Sequence, residues 1–221
     1  MAHDLIDSTE MYLRTVLELE EEGIPALRAR LSERLGLSAP SISEGVARLE
    51  AQGLLHLRED RQVELTSEGR ERAEHVMRKH RLAERLLVDV LGLEHEFVHE
   101  EACRWEHVIS DRVEQRLVEF LGNPATSPYG NPIPGSGGGF DHVVPLAEAA
   151  TDRVTLHSIS EHLQADAEVM HVLHEHGMIA GEEAVIIRDG GQVALELAGH
   201  RIQLPAEAAR FIYVLPVDPV G

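Results

Sequence analysis

The sequence predicts a mainly α-helical chain, with an N-terminal winged helix-turn-helix, a helical middle region and a small C-terminal β-barrel. Three observations carry this. Between Leu27 and Gln52 two short helical patterns meet at a corner, and two short strand patterns with a charged turn between them follow. From Thr66 to Leu121 the apolar residues keep a helical period, broken at Gly92 and at Ser110-Asp111. Beyond a stretch rich in glycine and proline, from Asn123 to Pro145, the period becomes that of strands.

The first helix is expected to start at Asp7 or Ser8, either of which can cap it, and to end in the acidic cluster before Gly23. Leu13, Val16 and Leu17 give it an apolar stripe, and Met11 sits one turn earlier as core filler or as a soft thioether ligand. Next comes the short helix ending at Gly36, the turn Leu37-Ser-Ala-Pro40, and a helix from about Ser41 to Gln52. Ile42, Val46 and Leu49 share a face expected to pack on Leu27, Leu31 and Leu35, while Ser41, Glu44 and Arg48 point outward. A readout helix presents such outward residues to the major groove. Leu54 to Leu57 and Val63 to Thr66 read as two strands of a wing around Arg58-Glu-Asp-Arg61. Thr66 caps a long helix that stops at Gly92. The following helix carries Cys103 and Trp105, the latter an apolar anchor of a metal or dimer core or an ordinary core residue. The Gly/Pro stretch reads as a linker. Strands follow at Val154 to Ile159, Ala184 to Arg188, Val193 to Leu197 and Phe211 to Leu215, with a short helix from about Asp166 to His176 and a hairpin turn at Gly190-Gly191.

Composition narrows the function. A single cysteine excludes an internal disulfide framework, and no apolar run approaches the roughly 20 residues that span a bilayer. A cytoplasmic, reducing location is expected, which suits a thiolate ligand. The net charge of −19 argues against non-specific coating of nucleic acid. Charge is uneven, however: Leu27 to Arg61 holds six arginines against five acids, whereas the chain after Gly139 holds four against thirteen. Any DNA contact therefore belongs to the N-terminal part.

Metal chemistry is concentrated between His80 and His107. His80 and Glu84 stand at i, i+4 on one helix face, and His99 lies across the turn at Gly92. Cys103, Glu106 and His107 stand at i, i+3 and i+4, so thiolate, carboxylate and imidazole share a face suited to a borderline divalent transition metal. A second group, His171, His174, Glu175 and His176, reads as a solvated face or a metal site of its own.

Several segments carry a family resemblance: Asp7-Ser-Thr-Glu-Met-Tyr-Leu-Arg-Thr, Leu27-Arg-Ala-Arg, Val76-Met-Arg-Lys-His-Arg-Leu-Ala-Glu-Arg-Leu-Leu, Glu101-Ala-Cys-Arg-Trp-Glu-His-Val and Ser127-Pro-Tyr-Gly-Asn-Pro-Ile-Pro-Gly. The chain closely resembles the iron-dependent repressors of the diphtheria toxin repressor family, densely from about Leu5 to Gly135 and loosely afterwards. The resemblance implies a winged-helix DNA-binding domain over 1–73, a helical metal-binding and dimerisation domain with its linker over 74–140, and an SH3-like domain over 141–221. It implies a primary metal site of Met11, Cys103 (with its carbonyl as a further oxygen), Glu106 and His107. An ancillary site would use His80, Glu84 and His99, with Asp166 or Glu168 from the last domain. Arg81, Ser127 and Asn131 match positions that hold an anion beside that ancillary metal. Arg28, Ser38, Pro40, Ser41, Ser43, Glu44 and Arg48 are the implied DNA contacts. Glu44 departs from the glutamine of close relatives; it can accept from cytosine but repels phosphate.

The function that follows is repression of iron-homeostasis genes by a homodimer on operator DNA, two dimers per operator, with Fe(II) as cofactor at two ions per chain. Sulfur donors at Met11 and Cys103 favour Fe(II) over manganese, because manganese sensors in the wider family use carboxylates there. Manganese, cobalt, nickel and zinc are expected to substitute in vitro. A manganese-responsive repressor of the same fold is the near alternative. From other classes, a metallohydrolase would use the same donors, but no glutamate lies between two histidines at zincin spacing. A constitutive winged-helix regulator would bind its operator without metal.

Overall fold

The computed structural model describes residues 8–137, 142–178, 180–189, 192–197, 199–205 and 207–217. The expected Asp7 cap and the Gly190-Gly191 turn lie outside the described residues. The chain divides into two compact units, Met1–His80 with Arg104–Ser110, and Arg81–Cys103 with Asp111–Gly221.

The first unit is the winged helix. Its helices are α1 (Ser8–Glu21), α2 (Arg28–Leu35) and α3 (Ala39–Ala51), followed by β1 (Leu55–Leu57) and β2 (Val63–Leu65), which pair antiparallel. The wing gains a third segment that the strand pattern did not reveal: Leu27 bridges Gln62, and Val63 N donates to Ala26 O at 2.9 Å. Helix α3 begins two residues before the expected Ser41. Pro40 lies inside its first turn, where the missing N–H has no intrahelical partner to lose, and Ser38 caps it by accepting from Ser41 N.

Leu13, Val16, Leu31, Ile42, Val46 and Leu49 are fully enclosed in one core with Leu54, Leu55, Val63 and Met77. Leu35 packs against that core, but Leu27 does not join it. Extended backbone at the N-terminal edge of α2 commits Leu27 to the wing bridge and leaves its side chain exposed. Helix α1 is buried on more than its predicted stripe, since every residue from Tyr12 to Leu19 is buried, including Arg14, Thr15 and Glu18. Buried charge on this helix must be paired, and Arg14 Nε donates to Glu18 Oε1 at 2.7 Å, one turn away.

Helix α4 (Ser67–Arg85) is capped by Thr66, whose Oγ1 accepts from Gly69 N at 3.1 Å. It widens into a π-turn over Leu86–Val90 and ends at Gly92, whose φ of +64° a side chain would resist. Helices α5 (His95–Trp105) and α6 (Asp111–Phe120) follow.

The second unit contains a six-stranded antiparallel sheet in the order β3-β8-β4-β5-β6-β7. The strands are β3 (Val144–Pro145), β4 (Arg153–Ile159), β5 (Glu183–Asp189), β6 (Gln192–Leu197), β7 (His200–Leu204) and β8 (Ile212–Pro216). Strands β3 and β7 were not expected, being too short or too polar to show an apolar period. The expected short helix is α8 (Ala167–Glu175), capped by Asp166, and it is preceded by an unexpected single turn, α7 (Glu161–Gln164), capped by Ser160. The Gly/Pro stretch is not simply a linker. Ser127 N donates to Asn131 O at 2.8 Å, Ile159 N to Tyr129 O at 3.0 Å and Asn131 Nδ2 to Ile159 O at 2.8 Å, so residues 127–133 are tied into this unit. Ser127, Tyr129, Asn131 and Ile133 are accordingly buried.

Leu49 joins α3 to the core of the first unit. Leu49→Ala is expected to cost about 2–5 kcal/mol, seen as a lower urea midpoint.

Candidate metal centre and nucleic-acid interface

In the first unit the centre of the polar site is Glu106, whose carboxylate is fully buried. Arg14 Nη1 donates to both its oxygens, at 2.8 and 2.6 Å, and His80 Nδ1 lies 2.7 Å from its Oε2. Glu106 Oε1 also faces His107 Nε2 at 3.1 Å, and His107 Nδ1 bonds to Glu10 Oε2. Burial alone would raise the Glu106 pKa. The Arg14 guanidinium, and then the neighbouring His107 and His80 rings, hold it well below the usual carboxylate range.

If Nδ1 of His80 and of His107 donates to its carboxylate, the neutral form of each ring would offer an Nε2 lone pair to a metal. For His107 this creates a conflict. Its buried Nε2 makes no hydrogen bond of acceptable geometry, yet an acceptor oxygen stands 3.1 Å away. A carboxylate oxygen this close to a ring nitrogen calls for a cation between them, a proton or a metal. Burial disfavours the protonated ring, but the adjacent Glu10 and Glu106 carboxylates outweigh it and raise the His107 pKa to about 9. The residues thus fit a divalent ion. Met11 is half-buried on α1 beside Glu10, and its carbonyl accepts from Thr15 Oγ1 at 2.8 Å. Trp105, on the same side of the chain division, is half-buried, neither fully core nor fully exposed.

In the second unit Cys103 Sγ lies 3.5 Å from His99 Nε2, one turn away on α5. Glu84 is fully buried, and its Oε2 makes no hydrogen bond. The pairings seen inside each unit therefore cross the two expected sets: His80 meets Glu106, and His99 meets Cys103. Asp166 and Glu168 are exposed at the start of α8, and Asp166 Oδ1 accepts from Val169 N at 3.1 Å. Arg81, fully buried, gives Nε to Glu161 Oε1 at 2.8 Å and Nη1 to Pro132 O, so a carboxylate of this chain engages the guanidinium expected to meet an anion. Ser127 Oγ accepts from Tyr129 N at 3.2 Å, and Asn131 is held by Ile159 as above. Of the histidine group on α8, His174 stacks on His95 at 3.9 Å between ring centroids and His171 Nδ1 lies 3.0 Å from Glu96 Oε1, so both contact α5.

Sequence reasoning missed Glu10, Arg14 and Glu161. Only the acidic residue next to Met11 and the arginine one turn on gave any signal, and a surface helix would show the same pattern.

The expected DNA contacts all belong to the first unit. Arg28, Ser38, Pro40, Ser41, Glu44 and Arg48 are exposed and Ser43 is half-buried, while Ser38 Oγ and Ser41 Oγ lie 2.8 Å apart at the start of α3.

A readout helix on a winged core, joined to a buried nitrogen and oxygen donor set, defines a metal-responsive DNA-binding regulator. Residues 4–63 match the iron-dependent repressor N-terminal DNA-binding domain, 66–135 the iron-dependent repressor metal-binding and dimerisation domain, and 144–216 the FeoA domain. The chain is 48% identical over 225 residues to the diphtheria toxin repressor of Corynebacterium efficiens, covering 97% of this chain and 98% of the relative. It is 46% identical over 226 residues to the iron-dependent repressor IdeR of Mycobacterium tuberculosis, covering 96% and 98%. Among solved structures, IdeR of T. acidophilum aligns with a TM-score of 0.77 at 27% identity, covering 96% and 99% of the two chains. A manganese-dependent transcriptional repressor in complex with manganese aligns at 0.83 and 30% identity, covering 95% and 100%. The chain belongs to the iron-dependent repressor family. It is a metal-dependent transcriptional repressor with a dimerisation domain, not an enzyme, and the expected winged helix, helical domain and SH3-like domain are all present.

Because the His107 pKa is raised from about 6.5 to about 9, its contribution to stability is fully present below pH 6.5 and lost as pH rises through 9. Metal-free protein is expected to lose thermal stability across that window, and His107→Gln to flatten the loss in a melting-temperature series.

Proposed function

We propose that this repressor binds operator DNA in its Fe(II)-loaded form and controls genes of iron homeostasis, with two ions per chain. One ion would be held by Met11, Cys103, Glu106 and His107. The other would be held by His80, Glu84 and His99, with Asp166 or Glu168 completing the set. The observation that carries this reading is the buried approach of His107 Nε2 to Glu106 Oε1 at 3.1 Å, a contact that calls for a proton or a metal cation between the two atoms. A bound divalent ion supplies positive charge there in place of a proton. Thioether and thiolate donors at Met11 and Cys103 suit Fe(II) better than the harder manganese ion.

The chain's own residues do the rest. Arg14 keeps the Glu106 carboxylate charged and in place, and Glu10 fixes the His107 tautomer through Nδ1. Glu10, Met11 and Arg14 all lie on α1, so filling the site stabilises one posture of that helix. Metal then acts as a ligand of the DNA-competent state, with a coupling of about 1–3 kcal/mol. Helix α3 would read the major groove through Ser38, Pro40, Ser41, Ser43, Glu44 and Arg48, with Arg28 on phosphate.

The homodimer would form through α6, which leaves Val113 49% and Phe120 68% exposed on its surface, and through Phe97 of α5, 53% exposed. Two such dimers would share one operator. A cytoplasmic location fits a thiolate ligand that must stay reduced. No described helix is long and apolar enough to cross a membrane.

Cys103→Ala is expected to abolish Fe(II)-dependent operator binding in an anaerobic gel shift while leaving the circular dichroism spectrum unchanged. Metal-activated binding at wild-type level in that variant would refute the ligand assignment. Phe120→Glu is expected to shift the protein from dimer to monomer in light scattering, and to weaken operator binding with it.

A further inference from the structure

Helix α1 has a second polar attachment, turned toward the readout helix. Tyr12 follows Met11 directly and is 4% exposed. Its hydroxyl donates to Ser41 O at 3.2 Å, in the first turns of α3. Its ring occupies the space that a side chain on residue 45 would need: a Cβ on Gly45 would fall 2.4 Å from the hydroxyl oxygen, 2.5 Å from Cζ and 2.8 Å from Cε1. Ser41 and Gly45 are one turn apart on α3, so the ring lies in a slot in that helix with its hydroxyl on the slot's N-terminal rim.

The other α1 residues in this core, Leu13, Val16, Leu17 and Leu19, are aliphatic, and their side chains make no directional bond. Apolar packing of that kind tolerates small slides, whereas a seated ring with a hydrogen bond does not. The residues on either side of the ring in sequence reach the polar site: Glu10 bonds to His107 and Arg14 to Glu106. One helix turn therefore links the donor set to the backbone of the readout helix.

We propose that Tyr12 is the positioning residue through which the donor-bearing turn of α1 sets the N-terminal half of α3. This rests on the metal-dependent reading above. Displacement of α1 is passed through the Tyr12 ring to Ser41 and Gly45, and hence to the exposed Ser38 to Glu44 edge. Gly45 is part of the device, because only a residue without a side chain leaves the slot open.

The test uses the full-length protein, Co(II) as an air-stable probe, and a duplex selected from a random pool by the Co(II)-loaded wild type. The quantity read is the ratio of DNA Kd without metal to Kd with saturating Co(II). Tyr12→Phe keeps the ring and removes the hydroxyl. It is expected to lower the ratio about 5-fold, the worth of one hydrogen bond, while Co(II) affinity measured calorimetrically without DNA stays within about 2-fold of wild type. A purely structural role would weaken DNA binding equally in both arms, and a ratio equal to that of wild type overturns the proposal. Gly45→Ala, which displaces the ring while keeping the hydroxyl, is read in the same way and decides the matter should Tyr12→Phe fail to fold. A wild-type ratio of one would instead refute the metal-dependent reading itself.

Discussion

A carboxylate taken fully out of water is the constraint around which the first unit is arranged. An unpaired buried charge costs several kcal/mol, so Glu106 requires cationic or proton-donating partners on every open side. Arg14 and His80 supply two of them, from helices distant in sequence. His107 completes the set only when it is protonated or when a metal ion takes the proton's place. The same desolvation that makes the carboxylate expensive makes the site selective for a cation.

That requirement explains why α1 is so deeply buried. A helix at the edge of a winged domain needs one apolar stripe, whereas α1 has apolar residues for the core and also Arg14 and Glu10 for the site. Arg14 is itself paired along the helix with Glu18, so its charge is satisfied whether or not Glu106 turns toward another cation. An internal counter-ion of this kind keeps the donors ionised and preassembled in the metal-free protein. Metal binding then need not meet the full cost of desolvating a carboxylate.

The second unit solves a parallel problem with fewer pieces. Arg81 is buried without solvent exposure, and Glu161 at the start of α7 supplies its carboxylate. Pro132 adds a carbonyl, which draws the Gly/Pro stretch into the unit. A segment whose composition suggests a tether is therefore held by hydrogen bonds to β4 and α4.

The local sequence by itself determined the element types and the donor chemistry. Apolar period and glycine or proline stops were enough for the readout helix, the wing and the long capped helix, because each of these is decided by neighbours in sequence. The spacing of His80, Glu84, Cys103, Glu106 and His107 likewise announced a metal-binding region, since helical geometry alone puts such residues on common faces. What only the tertiary structure decided were the partners that come from elsewhere in the chain. Arg14 and Glu10 read as surface charges until α1 is packed, Glu161 until Arg81 is buried, and Gly45 as a small residue of no consequence until the Tyr12 ring meets it. The strands β3 and β7 escaped for a related reason: short ladders are stabilised by the strands they pair with and not by a pattern of their own. Burial converts these groups from solvated side chains into obligatory pairs, and no local pattern records which residue burial will bring opposite.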